Sequence, residues 1–215
     1  MEECDWKGNR EAKGVSKAAE ARGLFHTMIV PMDCGEVHLA HTIGLMRQQM
    51  NANSSDKSYY KASRMEANRI AQPAAVLCEL AVAKALNVYV IPKVWPASKH
   101  SIHKQEGDIG ELIEVRRVRQ EGIGPAVRST DRGRAVFGCY IIDNEWTSVD
   151  VLGFYFVPRH WRQENFDHSF IRDDKSEQPF WRVPLNALTE PTKENFNSAA
   201  RIFSTHCLTD GTGGG

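Results

Sequence analysis

The stretch 74–86 constrains this fold more than any other part of the chain. It is apolar almost all round, broken only by Glu79 and Lys84, with Cys78 behaving as an apolar residue. A helix that is hydrophobic on most of its faces must be buried, and a sheet is its natural cover. Pro73 suits the first turn of such a helix and Asn87 its C-terminal cap. Glu79 is then the anomaly. A carboxylate in the middle of an apolar helix is costly unless it is paired or holds a cation. Two readings stand side by side: a salt bridge with Lys84 or with an arginine from the sheet, or a ligand for a metal ion.

A second anomaly lies downstream. The run 107–118 reads as a turn bearing Asp108, followed by an alternating apolar strand. Period two places Leu112, Glu114 and Arg116 on one face and Ile113, Val115 and Arg117 on the other. A carboxylate and a cation two residues apart, just after another carboxylate, is how phosphodiester-cleaving sites are often built. The acidic oxygens hold a divalent metal while the cation steadies the attacking water or the phosphate. The plainer reading is an edge strand with solvated charges.

A length of 215 residues gives room for one good-sized core. Residues 1–23 are polar and read as a flexible N-terminal segment, 24–205 as a single domain, and 206–215, ending in glycines, as a flexible tail. Lys plus Arg and Asp plus Glu are both 27, so nucleic-acid binding must come from local basic patches rather than a global field. The five cysteines stand singly with no CxxC spacing, which argues against structural zinc and for a reducing compartment; Cys78 and Cys139 read as small core residues. No apolar stretch approaches the roughly 20 residues of a membrane helix, and the first 22 residues are charged rather than signal-like. The expectation is a soluble cytoplasmic protein with no membrane partner.

Along the chain, 25–31 is expected as a strand. Asp33 and Glu36 form a capping box for a helix over about 34–50, with Leu39, Ile43, Met46 and Met50 as its core-facing stripe. A short polar helix over 59–70, a strand at 88–91 and a long loop at 92–106 follow. Strands are then expected at 112–119, 126–129, 136–143 and 148–157, the last two joined as an antiparallel hairpin through Asp143-Asn144-Glu145.

Several stretches carry a resemblance. They are Glu36-Val37-His38-Leu39-Ala40-His41 through Gly44 and Arg47, Cys78 to Lys84, Gly107-Asp108-Ile109-Gly110, and Ile113-Glu114-Val115-Arg116. Val127-Arg128, Val151-Leu152-Gly153, Trp181-Arg182-Val183-Pro184 and Leu188 complete the set, over roughly 25–190. In this order they resemble the PD-(D/E)XK nuclease superfamily, and more narrowly a group of uncharacterised phage and prophage proteins of that nuclease type. The resemblance implies an α/β fold with a restriction-endonuclease-like core: a mixed, mostly antiparallel sheet, flanking helices and an N-terminal helical extension. It implies that Glu79, Asp108 and Glu114 bind Mg²⁺, with Mn²⁺ as a substitute, and that Arg116 takes the place of the superfamily's lysine. That is a departure from Glu-x-Lys. Arginine does not deprotonate in a protein, so Arg116 cannot be a general base, though it can orient a water and bind phosphate. Glu36, His38 and His41 would support the site from nearby.

Other candidates carry less. His38 and His41 at i, i+3 could share a metal, but no third ligand is identifiable. Lys84 lies near the site or on DNA in one reading and snorkels from its helix in the other. Arg116, Arg117, Arg119, Arg128, Arg132 and Arg134 fall within nineteen residues, a density that suits phosphate-backbone contact; a solvated surface is the alternative. Trp146, Trp161 and Trp181 read as packing residues. No phosphate loop and no Ser–His triad is present. The expectation is a Mg²⁺-dependent nuclease acting on DNA, double-stranded in the first instance, with a homodimer compatible with the sequence. The alternatives are a non-cleaving nucleic-acid-binding protein of the same fold and a phage factor binding a host protein. Converging carboxylates favour the enzyme; Glu79 turned away onto Lys84 favours the binding protein.

Overall fold

The computed structural model describes residues 27–52, 68–94, 106–159 and 180–209. The elements run β1 (Met28–Pro31), α1 (Cys34–Ala52), α2 (Asn68–Ala85), β2 (Ile113–Arg117), β3 (Ala126–Arg128), β4 (Ala135–Ile141), β5 (Ser148–Phe156), β6 (Phe180–Arg182) and α3 (Lys193–Thr209). The main sheet has the order β1-β5-β4-β2. Its β1–β5 and β4–β5 pairings are antiparallel and β2–β4 is parallel, so the protein is α/β with a mixed sheet. β3 and β6 form a separate antiparallel pair.

The apolar helix dictates the packing, as expected. Val76, Leu77, Cys78, Ala81 and Val82 of α2, with Leu86 just past its end, are fully buried in one core with Ile113 and Val115 of β2, Phe137 and Cys139 of β4, and Val149, Val151 and Phe154 of β5. Each large aliphatic or aromatic side chain so placed contributes about 1.5–3 kcal/mol. α3, which the sequence reading does not single out, adds Phe196 to this core, 5.9 Å from Phe137 and 5.8 Å from Phe154 between ring centroids. The alternation along β4 turns Val136 to the opposite face, where it joins Val127, Val157, Trp181 and Val183 beneath the β3–β6 pair.

α1 starts as its capping box requires. The Asp33 N–H donates to Glu36 Oε2 and the Glu36 N–H to Asp33 Oδ1, both at 2.8 Å. Its expected core stripe is wrong, however: Leu39, Met46 and Met50 are exposed, and only Ile43 of the four is partly buried. Ala40 and Gly44 face α2 instead. The cause is the closeness of the helix crossing, since a Cβ on Gly44 would lie 2.3 Å from Pro73 N. Close contact selects small residues and rolls the long ones outward. α2 begins at Asn68, so Pro73 lies inside the helix rather than in its first turn; its fit against Gly44 overrides its usual preference for a helix start. Asn87 adopts φ 49° and its N–H donates to Lys84 O at 3.1 Å, the expected left-handed cap.

The expected strand at 88–91 is not formed; the chain there is irregular, with Tyr89 and Ile91 exposed. The run Val88-Tyr89-Val90-Ile91 joins neither sheet, the main one ending at β1 and β2. The hairpin β4–β5 is present, its turn held by Thr147 N–H on Asp143 Oδ1 at 2.8 Å. The expected short helix at 59–70 falls mostly outside the described residues, and 68–70 belong to α2. Among the described residues no helix is long and apolar enough to cross a membrane.

Candidate active site

β2 is an edge strand, and the turn before it folds back over its open side. Ile109 N–H donates to Ile113 O at 3.2 Å. Asp108 Oδ2 accepts the Val115 N–H at 2.8 Å. Asp108 therefore has a structural duty, satisfying an edge donor that would otherwise face solvent. Strand alternation buries Ile113 and Val115 against α2 and turns Glu114 and Arg116 the other way. There Arg116 Nη1 donates to Glu114 Oε2 at 2.8 Å and stands 3.8 Å from Asp108 Oδ2. Its Nη2 donates to Asp131 Oδ1, also at 2.8 Å. Asp131 is held in turn, its Oδ2 accepting the Arg128 N–H. Arg134 Nη1 binds the other oxygen of Glu114.

Glu79 is buried in α2, and its partner is Arg47 of α1 rather than Lys84. The guanidinium is bidentate on the carboxylate, 2.6 and 2.8 Å, and its Nε donates to Lys93 O at 2.7 Å. The Gly44–Pro73 contact lies one turn before Arg47 on α1, and this crossing brings the guanidinium to Glu79.

The acids feel one another. Burial pushes the Asp108 carboxyl up to about 6, with the charge of Glu79 adding to the shift and Arg116 opposing it. Glu114 is raised by burial and by the charge of Asp108, against Arg116. Glu79 is raised by burial and more weakly by Glu114, against its Arg47 partner. Burial works against the charge of Arg116, yet Asp131, Glu114 and Asp108 hold its pKa above the ordinary value. Arg47 behaves likewise, held up by Glu79 and by the charge of Asp108. Helix glutamate, turn aspartate and strand Glu-x-Arg thus share one electrostatic cluster, drawn from parts of the chain far apart in sequence. Counted ionised, Glu79, Asp108, Glu114 and Asp131 face Arg47, Arg116 and Arg134, leaving one negative charge in excess.

The remaining candidates are placed as follows. Arg134, grouped in sequence with the DNA-contacting arginines outside the carboxylates, lies inside the cluster on Glu114. Arg119 and Arg132 are exposed, and Arg117 and Arg128 partly buried. Lys84 turns away from Glu79 and bonds Glu36 Oε2 at 2.9 Å and Pro31 O at 2.8 Å. Glu36 is thereby committed to its capping box and to Lys84. His38 is exposed, and His41 stacks on Trp146 with ring centroids 4.6 Å apart. Arg47 and Asp131 have roles that the sequence reading did not assign. Ala40, Gly44 and Arg47 at i, i+4, i+7 were the available signal for the first; the second had none before β3 and β4 were placed.

The donor chemistry suits a hard divalent cation, because the acids of this cluster offer only oxygen. As arranged, both oxygens of Glu79 lie on Arg47 and both of Glu114 on Arg116 and Arg134, so an ion must displace guanidinium. In keeping with this, no group of three acidic, imidazole or thiol side chains among the described residues is placed to hold an ion as it stands. The chain matches no protein-family profile, no curated protein and no solved structure.

Proposed function

We propose that this protein is a divalent-metal-dependent nuclease of the PD-(D/E)XK type, hydrolysing phosphodiester bonds in DNA. The observation that carries the reading is that Asp108 and Glu114 meet on one guanidinium, Arg116 Nη1, at 3.8 and 2.8 Å, with Glu79 on the facing helix close enough for its charge to act on Asp108. A Mg²⁺ or Mn²⁺ ion held by the three carboxylates would supply a more acidic water and neutralise charge on the phosphate. The chain's own residues do the rest. Arg116 stays charged at every working pH and contributes a fixed cation for the phosphate. Asp131 Oδ1 holds its Nη2 at 2.8 Å, a contact that does not depend on Glu114 and keeps the plane of the guanidinium fixed when an ion takes Glu114. Arg134 orients Glu114. Asp108, anchored by the Val115 N–H, keeps its carboxylate at the open edge of β2.

The test is cleavage of several DNA forms with and without Mg²⁺. Asp108→Ala and Glu114→Ala are expected to lose at least about a hundredfold in turnover, the scale of removing one charged group from such a site, while circular dichroism shows the fold retained. Wild-type activity in either variant overturns the site. One observation favours a second reading, a non-cleaving nucleic-acid-binding protein: the carboxylate oxygens of Glu79 and Glu114 are already satisfied by arginine. DNA binding without cleavage in any divalent metal would establish it.

A further inference from the structure

Beside the carboxylates lies an open cleft of about 390 Å³, lined by Glu111, Leu112, Arg132, Gly133, Arg134 and Arg159. Three arginines and one glutamate are among its lining residues. Guanidinium donors lie in a planar fork that matches phosphate oxygens two at a time. We propose that this cleft is a phosphate subsite, holding a phosphate of the nucleic-acid strand next to the bond acted on at Glu114; its place beside that bond rests on the nuclease reading above.

The cleft is built rather than accidental. Gly133 N–H donates to Val157 O and Val157 N–H to Arg134 O, both at 2.9 Å, so the turn before β4 is clamped to the end of β5. Two residues past Val157, Arg159 is carried across Gly133, its Cγ 3.3 Å from where a Cβ would stand. Gly133 also has φ +78°, so a side chain at 133 would strain the backbone and crowd Arg159. Arg134 belongs to both places, lining the cleft while its Nη1 holds Glu114. A phosphate in the cleft is thus one guanidinium away from the carboxylate cluster. Arg159 lies outside the sequence cluster of arginines, and only the clamp between turn and strand brings it to Arg132 and Arg134.

The experiment titrates wild type, Arg159→Ala and Arg159→Lys with a short DNA duplex in EDTA over a salt series. Arg159 is exposed, so the variants are expected to melt as wild type does. Arg159→Ala is expected to bind several-fold more weakly, with the slope of log affinity against log salt reduced by about 0.9, the mark of one lost phosphate contact. Arg159→Lys keeps the slope and recovers part of the affinity. Running the series on duplexes with and without a 5′-phosphate separates an internal phosphate from a strand terminus, either one supporting the subsite. Unchanged affinity and slope in Arg159→Ala overturns it, as does a wild type that binds no DNA. The two proposals fail separately: an Arg159 effect without cleavage in Mg²⁺ keeps the cleft and removes the nuclease, and cleavage without an Arg159 effect does the reverse.

Discussion

α1 and α2 are joined by two ion pairs of opposite character. Near one end Lys84 of α2 meets Glu36 of α1 at 2.9 Å, with side chains 41% and 26% exposed. Towards the other, Arg47 of α1 meets Glu79 of α2 at 2.6 Å, with side chains 15% and 4% exposed. The chemistry is the same and the energetics are not. An exposed pair contributes about 0–1 kcal/mol, and this one is shared with a helix cap and with Pro31 O, so it fastens the entry to α1. A buried pair roughly balances Coulomb attraction against lost hydration, and an apolar pair of the same volume would pack α1 on α2 at least as well. Fastening explains Lys84–Glu36. It does not explain why an acid stands at position 79, within electrostatic reach of Asp108.

Breaking the buried pair should produce the largest stability change. Arg47→Met leaves Glu79 uncompensated, and urea unfolding at pH 7 is expected to show a loss of about 3–5 kcal/mol. Adding Glu79→Leu to Arg47→Met should restore most of it, since packing alone then joins the helices, while Mg²⁺-dependent cleavage is absent from the double variant. A double variant as unstable as Arg47→Met would mean that the pair fixes the helix crossing, and the contrast with Lys84–Glu36 would lose its meaning.

Asp108→Asn should act in the opposite direction and by less. The folded-state carboxyl titrates at about 6 against an ordinary 3.8, so between those values the native state binds the proton more tightly than the unfolded chain. Stability therefore falls as pH rises through about 4 to 6, and the full cost persists above that window. Asparagine keeps an acceptor for the Val115 N–H and cannot ionise. It is expected to raise stability at pH 7 by at most about 3 kcal/mol and to flatten the decline with pH; the raised Glu79 and Glu114 preserve part of that slope. Millimolar Mg²⁺ should raise the melting temperature of wild type more than that of Asp108→Asn, because the ion needs the carboxylate that the variant lacks. Equal pH profiles in urea unfolding for the two proteins would refute the raised Asp108.

The contrast between the pairs also marks how far the sequence could be read. Local chemistry was legible: the Asp33–Glu36 box, the left-handed Asn87, the β4–β5 hairpin, the burial of 74–86, and the alternation that sets Glu114 and Arg116 against Ile113 and Val115. Each is decided within a few residues by backbone geometry or by hydrophobic period. Partner choice was not legible. Leu39, Ile43, Met46 and Met50 make the more hydrophobic stripe, but a contact between Gly44 and Pro73 decides which side of α1 is covered, and with it where Arg47 goes. That contact joins residues 44 and 73, whose nearness no periodicity reveals. Lys84 follows the same rule. Its spacing from Glu79 made a pair conceivable, yet it reaches Glu36 and Pro31 instead. Arg134 and Arg159 depend on the clamp between the 131–134 turn and Val157, again a long-range event.

The smallest effects belong to the exposed pair. Glu36→Ala removes the acceptor for the Asp33 N–H, half of the capping box, together with the ion pair, and is expected to cost about 1 kcal/mol; Lys84→Met, losing the pair and the bond to Pro31 O but leaving the box intact, should cost less. What matters for Lys84→Met is the DNA titration. With its ammonium on Glu36 and Pro31 O, Lys84 is expected to leave affinity and salt slope at wild-type values, whereas a lysine on a backbone phosphate would take about 0.9 from the slope when removed. Measuring Lys84→Met beside Arg159→Ala in one salt series supplies the control, since both remove one exposed cation and change the net charge equally. A drop in slope for both would mean that the titration reads overall charge rather than contact, and a drop for Lys84→Met alone would move the nucleic-acid path to the α1–α2 end of the molecule. A drop for Arg159→Ala alone is the outcome in which exposed charges on this protein divide, like its two ion pairs, into those that hold the fold and those that meet a ligand.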